Sequence, residues 1–376
     1  MSAEPRAGHP TQVRIHLARL TANLRLLQEL AGGRPLWPAI KANAYGHGAH
    51  LVARHLAGLG YRTLCVAHAA EAVELKQAGV DATFVVLSAA LPESAEACVE
   101  HGLEPVVCTA EMVEALSRAA ARAGRRVALH LKVDTGMGRI GIRPGEVARF
   151  LERCRELPGV RVRGLMSHFP RADEADKAYS RAQLEAFRRV ADATTREVEV
   201  RHLANSAALF DLPEALFDAA RPGIAVYGLA PSPSLASPRV CELRPVLEWT
   251  TRITFLKEVP AGTGLSYGHA FHTRQPSLIA TIPLGYGDGL ARSLSNRLEV
   301  LVGGLRCPQV GRITMDQSLV DVSALRGRVA TGDEVVVIGR QGGEEQTADE
   351  LARTLGTINY EIVTAIAHRV PRVAVE

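Results

Sequence analysis

No run of about 18 apolar residues occurs anywhere in this chain, so nothing in its sequence reads as a membrane-spanning helix. The polar opening "MSAEPRAGHPTQ" has no apolar core of an export signal, and the expected location is the cytoplasm. Cysteine is sparse and scattered: the six residues, at 65, 98, 108, 154, 241 and 307, form no CxxC pair and no zinc-like spacing. That excludes a disulfide framework and a metal centre from the expectations, and it suits a reducing compartment. Aromatic residues make up only 5% of the chain, and the formal net charge is +4. With no basic run interleaved with aromatics, nucleic acid is not an expected partner. No internal repeat or low-complexity tract is present.

What is present is length and alternation. A chain of 376 residues exceeds the size at which one core usually stops growing, so two domains are expected. From residue 36 to about 230, short apolar runs alternate with amphipathic helical patterns such as "AAEAVELKQAG", "SAEACVEHG" and "AEMVEALSRAAARAG". The candidate strands are 36–40, 62–67, 82–87, 104–107, 127–133, 162–167 and 198–203. An eighth is either 217–221 or 224–227, which periodicity does not separate. Eight βα units over some 200 residues point to an α/β fold, a (β/α)8 barrel, with an open doubly wound sheet as the alternative. After the Pro- and Ser-rich "LAPSPSLASPRVCEL" the pattern changes to strand runs separated by turns. A mostly-β C-terminal domain over 243–376 is therefore expected to follow a barrel over 11–242, with one helical patch at "TADELARTLGTINYEIVTAI".

The segment "WPAIKANAYGHGAHLVARHL" sets a single lysine at the end of the first strand, followed by small residues, a tyrosine and two glycines. "GMGRIG" at 136–141 has the spacing of a dinucleotide fingerprint. It lies mid-chain, however, a "RPGE" turn intervenes before the next helix, and no acidic residue ends a strand about 20 residues on, so a tight loop is expected. "GYGDG" at 285–289 is a weaker match still. The barrel reading places Lys41, the stretch from Asp134 to Arg139, His168, Asn205 with Ser206, and Arg221 just past strand ends. In barrels the C-terminal face carries function, and the loops after the last strands often cradle a phosphate. Taken singly each has a structural reading: His168 as a satisfied strand-end histidine, Ser206 as a helix N-cap, Arg221 as a surface cation. Their convergence on one face suggests a phosphorylated carbonyl held by the lysine as a Schiff base.

In order, "AIKANAYGHG", "LKVDTGMGRIG", "SHF", "HLANSAA", "RPGIAVYG", "LSYG", "PLGYGDGLAR", "VGRITMDQ" and "TINYEIVTAI" resemble the motifs of bacterial alanine racemases, from about residue 13 to the C-terminus. The resemblance implies a pyridoxal 5'-phosphate enzyme that interconverts L- and D-alanine by two-base proton transfer and supplies D-alanine for cell-wall peptidoglycan. By it, Lys41 matches the Schiff-base lysine and first base, and Tyr267 the second base. Tyr45, Ser206, Tyr360 and the amides of Gly223 and Ile224 match the phosphate contacts, which favours 217–221 as the eighth strand. His168 and Arg221 match the network around the tyrosine, and Arg221 the partner of the pyridine nitrogen. Asn205 stands among the cofactor-side residues. Arg139 matches a contact to both cofactor and substrate carboxylate, the latter shared with the amide of Met315. Lys132 matches a lysine that is carbamylated in some members. Tyr286 and Asp316 match the site's wall, and Arg292, Asp173 and Arg312 the mouth of its channel. Thr314 departs from members that carry Cys there.

The same resemblance implies a homodimer in which the C-terminal domain of one chain completes the active site of the other, and a segment near 11–16 that joins the small domain. Competing expectations are a serine or broader-specificity racemase, a basic amino-acid decarboxylase on a related scaffold, and a cofactor carrier without catalysis. A decarboxylase would need a catalytic cysteine beside acids in the second domain, and Cys307 in "GLRCPQ" has none nearby in sequence.

Overall fold

The computed structural model describes residues 10–376, which form two compact units. One comprises Arg19–Ala44 and Ala49–Arg244. The other gathers residues 10–18, with strand β1 (Gln12–His16), the short piece Tyr45–Gly48, and Pro245–Glu376.

The first unit is built on six parallel strands in sequential order: β2 (Thr63–Val66), β3 (Thr83–Val86), β4 (Glu104–Val107), β5 (Val127–Lys132), β6 (Val160–Met166) and β7 (Val200–His202). Several read as near-continuous buried runs, β5 with five buried residues of six, as expected for strands covered on both faces. Helices such as Ala110–Arg122 connect them; Thr109 caps that one by accepting the Met112 N–H.

The ring closes without two further full strands. Trp37 N–H donates to Ala220 O at 2.8 Å and Ala220 N–H to Pro35 O at 3.0 Å. Isolated parallel bridges join Leu36 to Ala220, Ala39 to Cys65 of β2, and His202 of β7 to Ala219. Segments 36–39 and 219–220 thus occupy the first and eighth barrel positions, so the (β/α)8 reading holds with two of its strands reduced to bridges. Pro35, Pro38 and Pro222 lack the N–H groups that longer ladders would need. The alternative eighth strand, Ile224–Tyr227, is a 3-10 turn.

In the second unit nine strands follow one hydrogen-bonded path: β18 (Arg372–Val375), β1, β8 (Leu247–Arg252), β16 (Glu334–Gln341), β13 (Glu299–Val302), β14 (Leu305–Val310), β15 (Ser318–Asp321), β12 (Ser277–Ile282) and β9 (Phe255–Val259). β17 (Glu344–Gln346) pairs with β16, and β10 (Gly264–Leu265) with β11 (Phe271–His272) form a separate small ribbon. The turn between β13 and β14 is Gly303–Gly304, both with positive φ, which suits a tight hairpin. The single helical patch expected in the sequence is two helices, Ala348–Leu355 and Asn359–Thr364. Gly356, at φ 74°, ends the first in a left-handed cap.

Candidate active site

Lys41 leaves the first barrel position on an unusual backbone. Ala42, Asn43 and Ala44 all lie near φ 51–54°, and Tyr45 follows at φ 52°, a left-handed turn made without glycine. Such residues cost roughly 1–2 kcal/mol each, so the surroundings must hold them. Glu71 does so from the helix after β2, Ala69–Gln77: one carboxylate oxygen accepts the Ala42 N–H at 2.7 Å, and the other accepts the N–H groups of Ala67 and His68. Asn43 Oδ1 accepts the Ala49 N–H, and Ala44 N–H returns to Ile40 O. Burial, then the charge of Arg139, hold the Lys41 amine below an ordinary lysine; Glu71 and Cys65 oppose this, and Arg221 adds a smaller push downward.

The other basic side chains of the face converge on the same space. His168 is held well below the ordinary histidine range, first by burial and then by Arg221, Lys132, Arg139 and Lys41. Lys132, 2% exposed at the end of β5, is likewise far below an ordinary lysine because of burial and the charges of Arg221 and Arg139. Among the described residues no carboxylate forms an ion pair with it.

Arg221 is 5% exposed and is not a surface cation. Nη1 donates to His202 Nδ1 and to His202 O, both at 2.7 Å, and Nη2 donates to Ser167 O and Leu203 O. Four of its five N–H groups are taken, and Nε–H is left without a hydrogen bond among the described residues. Burial pushes its pKa down to about 10, so the guanidinium stays charged at neutral pH.

Ser206 is not the helix cap. Asn205 caps Ser206–Asp211 by accepting the Ala208 N–H at 3.0 Å, because its side chain precedes the first turn and reaches the free amides. Ser206 instead accepts the Gly223 N–H at 2.8 Å and the Ala225 N–H at 3.4 Å, which leaves its own hydroxyl proton to donate elsewhere. Gly223 N–H is thereby engaged, and Ile224 N–H, first in its turn, has no partner within that turn.

Arg139 is exposed on the 134–141 loop. Asp134 gathers the Gly136 and Gly138 amides, and Ile142 returns to bridge Val133. The glycine-rich amides therefore serve the loop itself, and the dinucleotide reading fails on that account.

The second unit carries Tyr45, Tyr267, Tyr286, Met315, Asp316 and Tyr360. Tyr45 and Tyr360 stand together, ring centres 6.1 Å apart. Gly46 fixes that approach: at φ 82° a Cβ there would lie 1.9 Å from Val363 O. Tyr267 is 72% exposed beside a cavity of about 540 Å³ lined in part by Ser266, Arg312 and Thr314. Ser266, at φ 60°, is anchored by its hydroxyl on Arg312 O. Tyr286 N–H donates to Thr314 O, and Gly287 N–H to Met315 O, while Asp316 pairs with Arg369. Exposure brings Tyr286 and Met315 to the surface. Among the described residues no cluster of His, Cys, Asp and Glu could hold a metal ion, and no helix is long and apolar enough to cross a membrane.

Sequence reasoning missed Glu71, whose helix shows nothing in its pattern to distinguish it. It also missed the partners of Arg221, His202 and through it His130 and Glu104, of which only His202 stood inside a quoted motif.

A half-buried amine of lowered basicity, a guanidinium with one N–H and a hydroxyl beside an amide that lack hydrogen-bond partners among the described residues, all past the ends of barrel strands, define a carbonyl- and phosphate-binding type of enzyme site. Residues 15–231 match the alanine racemase N-terminal domain and residues 246–374 the alanine racemase C-terminal domain. The chain is 46% identical over 368 residues to the alanine racemase of Symbiobacterium thermophilum, covering 96% of each chain. It is 43% identical over 371 residues to that of Halothermothrix orenii, covering 98% of this chain and 97% of the other. Among solved structures it is similar to the alanine racemase of Clostridium difficile 630, with TM-score 0.93, 34% identity, and 98% and 97% of the two chains covered. It is also similar to that of Streptomyces coelicolor A3(2), with TM-score 0.91, 40% identity, and 97% and 98% covered. The chain belongs to the alanine racemase family, whose members are pyridoxal-phosphate-dependent isomerases.

Proposed function

We propose that this protein interconverts L- and D-alanine with pyridoxal 5'-phosphate as cofactor, acting in the cytoplasm to provide D-alanine for peptidoglycan. The observation that carries the reading is the half-buried Lys41 amine, held below an ordinary lysine and set on the same barrel face as Arg221, whose Nε–H has no hydrogen bond among the described residues. The residues present fit that cofactor: an amine for its carbonyl, the Ser206 hydroxyl and Ile224 amide for its phosphate, and a buried N–H for its ring nitrogen.

When bound, pyridoxal phosphate supplies the electron sink that loosens the proton on the substrate's α-carbon. The Ser206 hydroxyl and Ile224 N–H would hold its phosphate, with Tyr45 and Tyr360 as further donors; Gly223 acts through Ser206, and Asn205 by capping the helix that carries Ser206. Arg221 would donate from Nε to the ring nitrogen. Because a guanidinium does not give up its proton, it would leave that nitrogen unprotonated and the sink shallow. A shallow sink disfavours side reactions. Arg139 and the Met315 amide orient the substrate carboxylate. Lys41 moves the proton on one face and Tyr267 on the other; His168, kept neutral, is the partner that accepts from or donates to the phenol. Lys132, its basicity lowered by burial and by the charges of Arg221 and Arg139, is the candidate for carbamylation beside Arg139. Tyr286 and Asp316 wall the site.

Tyr267 belongs to the second unit and Lys41 to the first, and we infer a homodimer in which each site takes Lys41 from one protomer and Tyr267 from its partner. The decarboxylase reading is set aside: the reported relatives are alanine racemases, and Cys307 is buried in β14 with its thiol pushed up to about 11 by burial.

Chiral chromatography of L-alanine incubated with the protein and pyridoxal phosphate tests the proposal. D-alanine should form until the two enantiomers are equal. Failure to convert alanine, with conversion of serine or another member of an amino-acid panel, would move the activity to that substrate.

A further inference from the structure

Beneath the site a line of polar groups, buried except for the half-buried Glu104 at its end, crosses the barrel interior. Arg221 Nη1 meets His202 Nδ1 at 2.7 Å, His202 Nε2 meets His130 Nδ1 at 2.9 Å, and His130 Nε2 meets Glu104 Oε2 at 3.0 Å. Glu104 opens β4 and so lies at the opposite end of the barrel from Arg221, which follows the eighth strand position. Arg163 Nη1 clamps both Glu104 oxygens, at 2.6 and 2.5 Å. Both imidazoles are fully buried.

The chemistry of the ends fixes the protons between them. A guanidinium only donates, so His202 Nδ1 must accept and His202 carries its proton on Nε2. That proton goes to His130 Nδ1, so His130 also carries its own on Nε2 and gives it to Glu104. Every bond runs the same way and ends on a carboxylate. Both rings must be neutral for this, and burial holds His130 and His202 below the ordinary histidine range. Burial works against ionised Glu104, but its bonds to His130 and Arg163 outweigh that and keep it below the usual carboxylate value.

The surroundings are shaped to this line. Trp37 packs its ring 5.7 Å from His130, edge to face, and 4.8 Å from His202. A Cβ on Gly164 would lie 2.0 Å from His130 Nδ1, so the glycine makes the room the ring needs. The register of β5 on β6 slips by one residue there, from Leu129 opposite Val162 to His130 opposite Gly164. The slip leaves Arg163 as the extra residue, re-aimed as bulged residues are.

We propose that Glu104 is a positioning residue for the racemase reaction: acting through His130 and His202, it sets the ring protons that hold Arg221 with Nε–H toward the cofactor's pyridine nitrogen. The proposal rests on the reading of Arg221 given above. Were His202 to carry its proton on Nδ1, two N–H groups would face each other and the guanidinium would lose its hold on that side.

The test reads the protons directly. Long-range proton–nitrogen NMR correlations, on protein labelled in its histidine ring nitrogens and free of cofactor, should show two neutral rings protonated on Nε2, assigned through His130→Gln and His202→Gln. A proton on Nδ1 of either ring, or a doubly protonated ring at neutral pH, overturns the proposal. It does so whether or not the protein racemises alanine. Glu104→Gln keeps the shape but can donate as well as accept, so the His130 and His202 signals should shift or split. Its kcat should fall on the order of tenfold, the worth of one charge-assisted bond, with KM changed less than about twofold. Unchanged ring signals and unchanged kcat in Glu104→Gln would also overturn it. If that variant does not fold, the wild-type ring protons alone decide.

Discussion

The Glu71 carboxylate accepts the backbone N–H of Ala42 at 2.7 Å, one residue beyond Lys41 and at the start of the left-handed turn. The same carboxylate takes the Ala67 and His68 amides, so one side chain ties the end of the first barrel position to the loop after β2. Glu71→Ala should therefore cost about 1–3 kcal/mol in denaturant unfolding, as lost bonds to a charged acceptor do. It should also weaken retention of pyridoxal phosphate, followed by dialysis and absorbance. Glu71→Gln, which can still accept on one oxygen, should fall between. A Glu71→Ala protein as stable and as well loaded as the parent would mean the turn holds itself.

Gly46→Ala addresses the other end of that turn. The new Cβ would sit 1.9 Å from Val363 O on a backbone at φ 82°, a clash and a strain together. A loss of more than about 2 kcal/mol is expected in thermal or denaturant unfolding. Because Gly46 adjoins Tyr45, phosphate affinity should fall with it. Gly58→Ala, where a Cβ meets nothing within 4 Å, is the matched control and should be near neutral.

Lys41 should capture pyridoxal phosphate as a neutral amine at a pH where free lysine is still protonated. Its pKa is lowered from 10.5, so the capture rate should rise with pH and level off below the range of a model amine. The linkage has a definite sign: with the folded pKa below the unfolded one, the unfolded chain holds more protons, so this group's penalty is full at low pH and fades as pH rises toward 10.5. Borohydride should fix the cofactor on Lys41, and Lys41→Ala should abolish the fixation. Fixation on Lys132 instead would reassign the carbonyl-capturing residue.

Complementation tests the shared site. Lys41→Ala and Tyr267→Ala homodimers should each be nearly inactive. Co-expressed in equal amounts, they should form about half heterodimers, each with one intact and one doubly damaged site, restoring roughly a quarter of wild-type sites under random pairing. Verified heterodimers no more active than the two parents would place both bases within one chain or remove Tyr267 from the chemistry.

Much of this was legible because it is local in the chain. Strands β2 to β7 announce themselves as short apolar runs between helical patterns, and the lysine after the first of the barrel segments, the Asn205–Ser206 pair and the "RPGI" turn each lie inside one contiguous stretch. Parallel strands buried on both faces impose that signal wherever they occur. The two closing segments were legible only as apolar runs, since a bridge of one or two residues has no periodicity to read. Which of two adjacent polar residues caps a helix was decided by backbone geometry: Asn205 sits before the first turn, and Ser206, within it, turns to the Gly223 and Ala225 amides.

The order of motifs, the composition and the alternation determined the family, the two-part architecture and the set of candidate residues. Only the tertiary structure decided that Glu104, His130, His202 and Arg221, drawn from three strands and a loop, would lie in a single hydrogen-bonded line. Barrel closure brings together residues as much as 117 positions apart (221 minus 104), and no local pattern encodes that adjacency. The direction of the protons along the line is likewise a tertiary property. It exists because a group that can only donate stands at one end and a carboxylate, clamped by Arg163, at the other.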